Sequence, residues 1–386
     1  MAWLTAGDSE LRSDGWVVGV EVCSRGWAGL LPSGTMTGAA VPICPSPFDS
    51  ASVSEDLRPY FADHCRDGVF FNPWEVPAEP RFMAFLKWRM TRNPWALQKR
   101  TKPQAEVLPD ALDQFRAHPA KGRVAWLGHA SVLVQLDGIT ALIDPIFGRT
   151  ATVIPRWAQA PITVDELPHV DVVMLSHGHY DHLDAPSLRA LSKRFGPDLL
   201  FATPLGLSRS LPARCSRRVE LDWWQSIGLG SLELHLVPAQ HWHKRTMTDT
   251  NRALWGGWVL RGTGTVYHSG DTGYFGGFRA IGHVFPHIDV ASLPIGAWEP
   301  RWFMKGQHMS PQESVQALVD MGARDLLAMH WGTFDLTDEP LDEGPRALTL
   351  ALKELGVAPA RAHVLAHGGS LPIHSGGPSI GIDDAT

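Results

Sequence analysis

The chain has 386 residues, 44% of them hydrophobic and 19% charged, with a formal net charge of −6. That composition suits a globular enzyme with a substantial core, and a negative balance with no dominant basic stripe argues against nucleic-acid binding, which needs many phosphate-neutralising cations. The four cysteines (Cys23, Cys44, Cys65, Cys215) are widely spaced with no C-x-x-C pair, so neither a disulfide framework nor a cysteine zinc site is expected.

Residues 1–68 are rich in Gly, Ser and Pro and poor in either helical or strand periodicity. They are expected to form a poorly structured extension, or to lie outside the selected sequence altogether. The N-terminus lacks the basic and apolar regions of a signal peptide, and no apolar run approaches the roughly 20 residues that span a bilayer. The expected location is cytoplasmic, with any membrane contact made from the surface. A single catalytic domain is expected over 69–372, followed by a disordered tail at 373–386.

The domain opens on an aromatic anchor, Phe70, Phe71 and Trp74. Residues 81–100 then carry Arg81, Lys87, Arg89, Arg92, Lys99 and Arg100 with no acid, and Phe82, Met83, Phe85, Leu86 and Met90 recur at near-helical spacing. Two readings stay open: a helix that packs its apolar face on the domain, or an interfacial helix that dips aromatics into lipid and meets anionic headgroups with its cations. Strands are expected at 123–127, 131–136 and 140–143, with a turn at Asp137-Gly138. Asp144, at the end of the third, is either a residue that orients a metal-bound histidine or a turn-initiating Asp-Pro.

The strand-like run 170–175 leads into His177-Gly178-His179-Tyr180-Asp181-His182. In a non-helical stretch residues two apart point the same way, so His177 and His179 can share one cation, while Asp181 and His182 lie across the turn for a second. A helix follows over 185–195, stopped by Gly196-Pro197. Further strands are expected at 199–202, 232–237, 258–260, 266–268, 290–294 and 326–329. Helices are expected after the capping box Ser310-Pro311-Gln312-Glu313 and at 344–355. Strands alternating with helices imply sheets covered by helices.

Three strand ends supply more ligands. His241, Asp271 and His330 complete two coordination spheres: His177, His179 and His241 on one cation, Asp181, His182 and His330 on the other, and Asp271 bridging. Nitrogen and oxygen donors without sulfur suit two zinc ions, and iron or manganese as well.

This pattern, with Trp126 to Ser131, Glu220 to Trp224, Gln240 to Thr246, Pro294 to Lys305 and His330 to Phe334 in order, resembles the N-acylphosphatidylethanolamine-hydrolysing phospholipase D family of the metallo-β-lactamase superfamily. Similarity runs from about residue 70 to 369. At His243, between Trp242 and Lys244, the sequence departs from the cysteine of animal relatives. The resemblance implies an α/β (α+β) αββα four-layer sandwich and a dinuclear zinc phosphodiesterase releasing N-acylethanolamine and phosphatidic acid. It implies catalytic roles for Asp181, Asp271 and His308, with His308 steadying or protonating the leaving oxygen. Lys244 and Arg245 are expected to hold phosphate, and Trp298, Trp302 and Phe303 to line an acyl groove. The expected partner is a phospholipid, met at a membrane surface through residues 81–100; a homodimer stays open. The rival readings are a hydrolase of the same fold acting on another phosphodiester or a sugar-phosphate lactone, and an inactive metal-binding scaffold.

Overall fold

The computed structural model describes residues 53–76, 82–101, 105–108, 110–116, 122–151 and 153–373, with the short strands Val17–Val18 and Ile43–Cys44. The other residues before 53, the tail after 373, Cys23 and Arg81 lie outside the described residues. Two eight-stranded sheets dominate. In spatial order the first is Val17–Val18, Arg218–Leu221, Leu200–Pro204, Val172–Met174, Ile139–Ile143, Ser131–Leu136, Arg123–Gly128 and Ser370–Pro372. The second is Ala362–His363, Asp325–Met329, Val290–Pro294, Thr265–His268, Gly257–Arg261, Leu232–Val237, Ser226–Leu229 and Ile43–Cys44. Each sheet begins as an antiparallel meander and continues as parallel strands. The loops that leave the parallel strands therefore gather along one edge, where open α/β sheets characteristically bind ligands.

Side-chain alternation makes the layers. Val132, Val134 and Leu136 enter the main core between the sheets, while Leu133 between them turns to the opposite face. Ala141 and Ile143 against Leu142, and Val172 and Met174 against Val173, repeat the split. The outer face packs on Leu188 and Leu191 of the helix Ala185–Phe195. On the far side of the second sheet, Phe278, Val315 and Leu348 bring the helices Gly277–Val284, Pro311–Asp320 and Glu343–Glu354 onto the same core. The result is the four-layer αββα sandwich. Strands buried on both faces read as continuous apolar runs, which is why the sequence marks them so clearly.

Local signals hold at the expected places. Asp137 and Gly138 both take positive φ, 51° and 81°, as a type I′ hairpin turn requires. Asp184 caps its helix by accepting from Ser187 N at 3.0 Å. The capping box is complete: Glu313 N donates to Ser310 Oγ at 3.3 Å and Ser310 N to Glu313 Oε2 at 2.9 Å.

Three expectations change. The unstructured extension does not reach residue 68, because Val53 and Leu57 are buried in the main core and Cys65–Arg66 pairs with Val69–Phe70. This arm is held by aromatic contacts, Phe61 on Trp224 at 4.6 Å and His64 on Trp223 at 4.1 Å, which leave no periodicity to read. Ile373, assigned to the tail, is buried and donates its N–H to Gly122 O at 2.7 Å. Within residues 81–100 the helix is only Phe82–Met90, followed by the turn Gln98–Arg100; Pro94 disfavours helical backbone at the residue before it. Trp88 alone of its described side chains is fully buried, stacked on Phe303 at 5.1 Å with Nε1 donating to Asp338 Oδ1 at 3.0 Å. Met83 (70% exposed) and Met90 (74%), with Phe85 and Leu86, face outward.

Ser310→Ala is expected to cost about 1 kcal/mol through loss of the cap. It would be read as a lower urea midpoint with metal content unchanged.

Candidate metal centre

The strand Val172–Met174 delivers its last residues into a loop that Asp144 organises. Asp144 Oδ1 accepts from Ser176 N at 2.7 Å, and its Oδ2 lies 2.7 Å from His182 Nδ1. Both Asp144 and His182 are fully buried, so this contact fixes the imidazole and turns its Nε2 inward. His241 is oriented the same way, its Nδ1 3.1 Å from Gln307 O. Gly178 is required by space. A Cβ there would sit 2.2 Å from His243 Cε1. His243 thus lies beneath the loop.

Seven expected ligands converge as two groups. The donor atoms of His177, His179, His241 and Asp271 all lie within 4.8 Å of one another, as do those of Asp181, His182, His330 and a residue the sequence reading passed over, His129. In the first group His179 Nδ1 lies 3.0 Å from His177 Nε2 and 3.1 Å from His241 Nε2. Asp271 sits between the groups. Its Oδ2 is 3.8 Å from His177 Nε2 and 3.1 Å from His182 Nε2, and its Oδ1 is 3.0 Å from His330 Nε2. His308 approaches the same carboxylate, with Nδ1 3.9 Å from Asp271 Oδ2.

Charge and burial favour cations here. Burial, reinforced by neighbouring imidazoles, holds His177 and His241 well below the usual histidine range. Burial also lowers His179 to about 4 and His308 to about 4 against the pull of nearby carboxylates. These rings are neutral at pH 7 and offer lone pairs. For Asp181 and Asp271 burial acts upward, but the imidazoles, His182 first, outweigh it and keep both carboxyls ionised. His182 is the exception: burial acts downward, yet Asp271, Asp181 and Asp144 together raise it well above the usual value. His182 Nε2 and His330 Nε2 are buried and approach Asp271 at 3.1 and 3.0 Å without forming an aligned hydrogen bond. Converging lone pairs around two buried carboxylates fit a pair of cations, with a nitrogen–oxygen set that zinc, iron or manganese accept.

The expected substrate residues fare differently. Lys244 is exposed. Arg245 is partly engaged in the fold: Nη1 donates to Gly178 O at 3.0 Å, and the guanidinium lies 4.1 Å over the Tyr180 ring. It braces the ligand loop. Phe303 is buried beneath Trp88, Trp298 is largely buried but lines a small cavity with His330, Trp331 and Phe334, and Trp302 is 47% exposed. His129 had a signal that was available, since it follows a strand end as the other ligands do.

A β-lactamase superfamily domain model matches residues 140–331. The chain is 36% identical over 237 residues to N-acyl-phosphatidylethanolamine-hydrolyzing phospholipase D 1 of Caenorhabditis elegans, covering 57% of this chain and 66% of that one. It is 33% identical over 245 residues to a metal-dependent hydrolase of Methanopyrus kandleri, covering 61% of this chain and 93% of the relative. A solved metallo hydrolase from Ignicoccus hospitalis shares the fold at a TM-score of 0.52 and 21% identity, covering 66% of this chain and 99% of that structure.

Asp144→Ala is expected to weaken one of two bound cations by roughly 10–100-fold while leaving the other in place. Metal analysis after graded chelation would check it. Asp271→Ala is expected to lose both.

Proposed function

We propose a function from the premise that the chain belongs to the metallo-β-lactamase superfamily, in the family of N-acylphosphatidylethanolamine-hydrolysing phospholipases D. The chain is a metal-dependent hydrolase, and our reading is that it is a dinuclear zinc phosphodiesterase that cleaves N-acylphosphatidylethanolamine at the bond between phosphorus and the ethanolamine oxygen. The observation that carries the reading is Asp271, one carboxylate within reach of both ligand groups and of His308.

When bound, two cations lower the pKa of water from near 16 to about 7 and neutralise the oxygens of a phosphodiester. The chain's own residues do the rest. Asp271 and Asp181 hold the two ligand groups in register, and Asp144 keeps His182 aimed inward. His308 is a neutral imidazole at the face of the centre, its ring 5.5 Å from those of both His241 and His330. From there it donates a hydrogen bond to the leaving oxygen of the substrate. Hydrolysis consumes one water: its hydroxyl joins phosphorus as the bond to the ethanolamine oxygen breaks, giving phosphatidic acid, and its other proton ends on the leaving oxygen, giving N-acylethanolamine.

A lipid substrate gives the outward face of Phe82–Met90 a purpose. Met83, Phe85, Leu86 and Met90 are exposed beside Lys87, Arg89 and Arg92, with Trp302 half exposed and Lys87 4.9 Å over its ring. Apolar side chains among cations suit an interface of acyl chains and anionic headgroups. The same helix rests on Phe303 and Met304, and His308 N donates to Met304 O at 2.8 Å, so membrane contact and the catalytic histidine share one support. No helix among the described residues is long and apolar enough to cross a membrane, and the contact proposed is from the surface.

Mass spectrometry of products from mixed phospholipid vesicles, with and without chelator, tests the reaction. N-acylethanolamine and phosphatidic acid are expected only without chelator. Hydrolysis of a water-soluble diester with none on vesicles would select a different substrate. Replacing Met83, Phe85, Leu86 and Met90 together by Ser is expected to lower vesicle binding about a hundredfold or more, since each side chain contributes about 1.5–3 kcal/mol when fully buried. Unchanged sedimentation with vesicles would remove the helix from the interface.

A further inference from the structure

We infer that His129 is a positioning residue for the second cation, holding Asp181 by a hydrogen bond from its ring rather than ligating metal itself. The inference rests on the two-cation reading above. His129 Nε2 lies 3.0 Å from Asp181 Oδ2, and the ring centroid is 4.0 Å from that of His330. His129 therefore touches two of the three ligands in its group.

The neighbouring nitrogens decide between the two roles. His182 Nε2 and His330 Nε2 both face Asp271, the carboxylate between the two ligand groups, at 3.1 and 3.0 Å without an aligned hydrogen bond to it. His129 Nε2 already has a partner, at an ordinary N–H···O length. Its backbone is fastened on both sides. The N–H donates to Thr333 Oγ1 at 2.7 Å, and the carbonyl accepts from Trp126 Nε1 at 2.7 Å and His330 N at 2.8 Å. That anchoring keeps a non-glycine residue at φ 52°, a conformation that persists where surroundings over-determine it. Asp181 and His330 come from different sheets, and His129 is where they are tied together.

The test is a metal titration of the full chain with a competing chelator, with Co²⁺ absorption as a second readout. Wild type is expected to take two cations; fewer would defeat the two-cation reading rather than this inference. His129→Ala is expected to keep the first cation and bind the second roughly 10–100-fold more weakly. His129→Gln, whose amide places an N–H near the same point, is expected to restore second-site affinity to within threefold and leave the Co²⁺ spectrum unchanged. Wild-type affinity in His129→Ala would overturn the inference. So would an equal loss in His129→Gln, which would make the ring a ligand. Should the Ala variant fail to fold, His129→Asn replaces it with the same expectation, because Asn accepts the left-handed backbone and is too short to reach Asp181.

Discussion

One buried carboxylate sets the terms for this molecule. Asp271 has an oxygen 3.1 Å from His182 and another 3.0 Å from His330, and it is nearly without solvent contact. An ionised group in that position is costly unless paired, and most of the imidazoles around it are neutral. Only additional positive charge balances the site, which is why the cluster reads as a metal centre and not as a hydrogen-bonded core. The approach depends on Gly270, at φ 58°: a Cβ there would lie 2.7 Å from Ser176 Cβ. Without that glycine the loop from one sheet could not lie against the ligand loop of the other.

The sandwich turns this local requirement into a whole site. Both sheets finish as parallel strands, so ligands that follow successive strands arrive along one rim. The exits are sharp. His129, Asp144 and His330 all take positive φ, at 52°, 44° and 63°. Such conformations persist only where the surroundings hold them, as the hydrogen bonds about His129 and Asp144 do. Around them sits a supporting layer: Arg245 bracing Gly178, Gln307 orienting His241, Thr333 holding His129.

The helix Phe82–Met90 stands outside this economy. Trp88 fixes it to Phe303, and its exposed methionines, phenylalanine and leucine gain nothing from the domain they rest on. These exposed apolar side chains among cations are the feature on which the proposed membrane contact rests. The connection through Phe303 and Met304 to His308 puts that surface one segment from the chemistry.

The residue order by itself determined the ligand types and their local spacing, the apolar runs of the buried strands, the Asp137-Gly138 turn and the Ser310–Glu313 cap. All of these are short-range: two-residue alternation, a three-residue capping distance, a tight loop with His177, His179 and Asp181 at every second position. Packing across the sheets decided the remainder. It buried Phe303 beneath Trp88, tied Arg245 to Gly178, drew residues 53–68 into the core by aromatic stacking, and brought His129 to Asp181. Those contacts join residues that are far apart along the chain, so no spacing records them; they exist only once burial of two apolar sheet faces has set which loops share an edge.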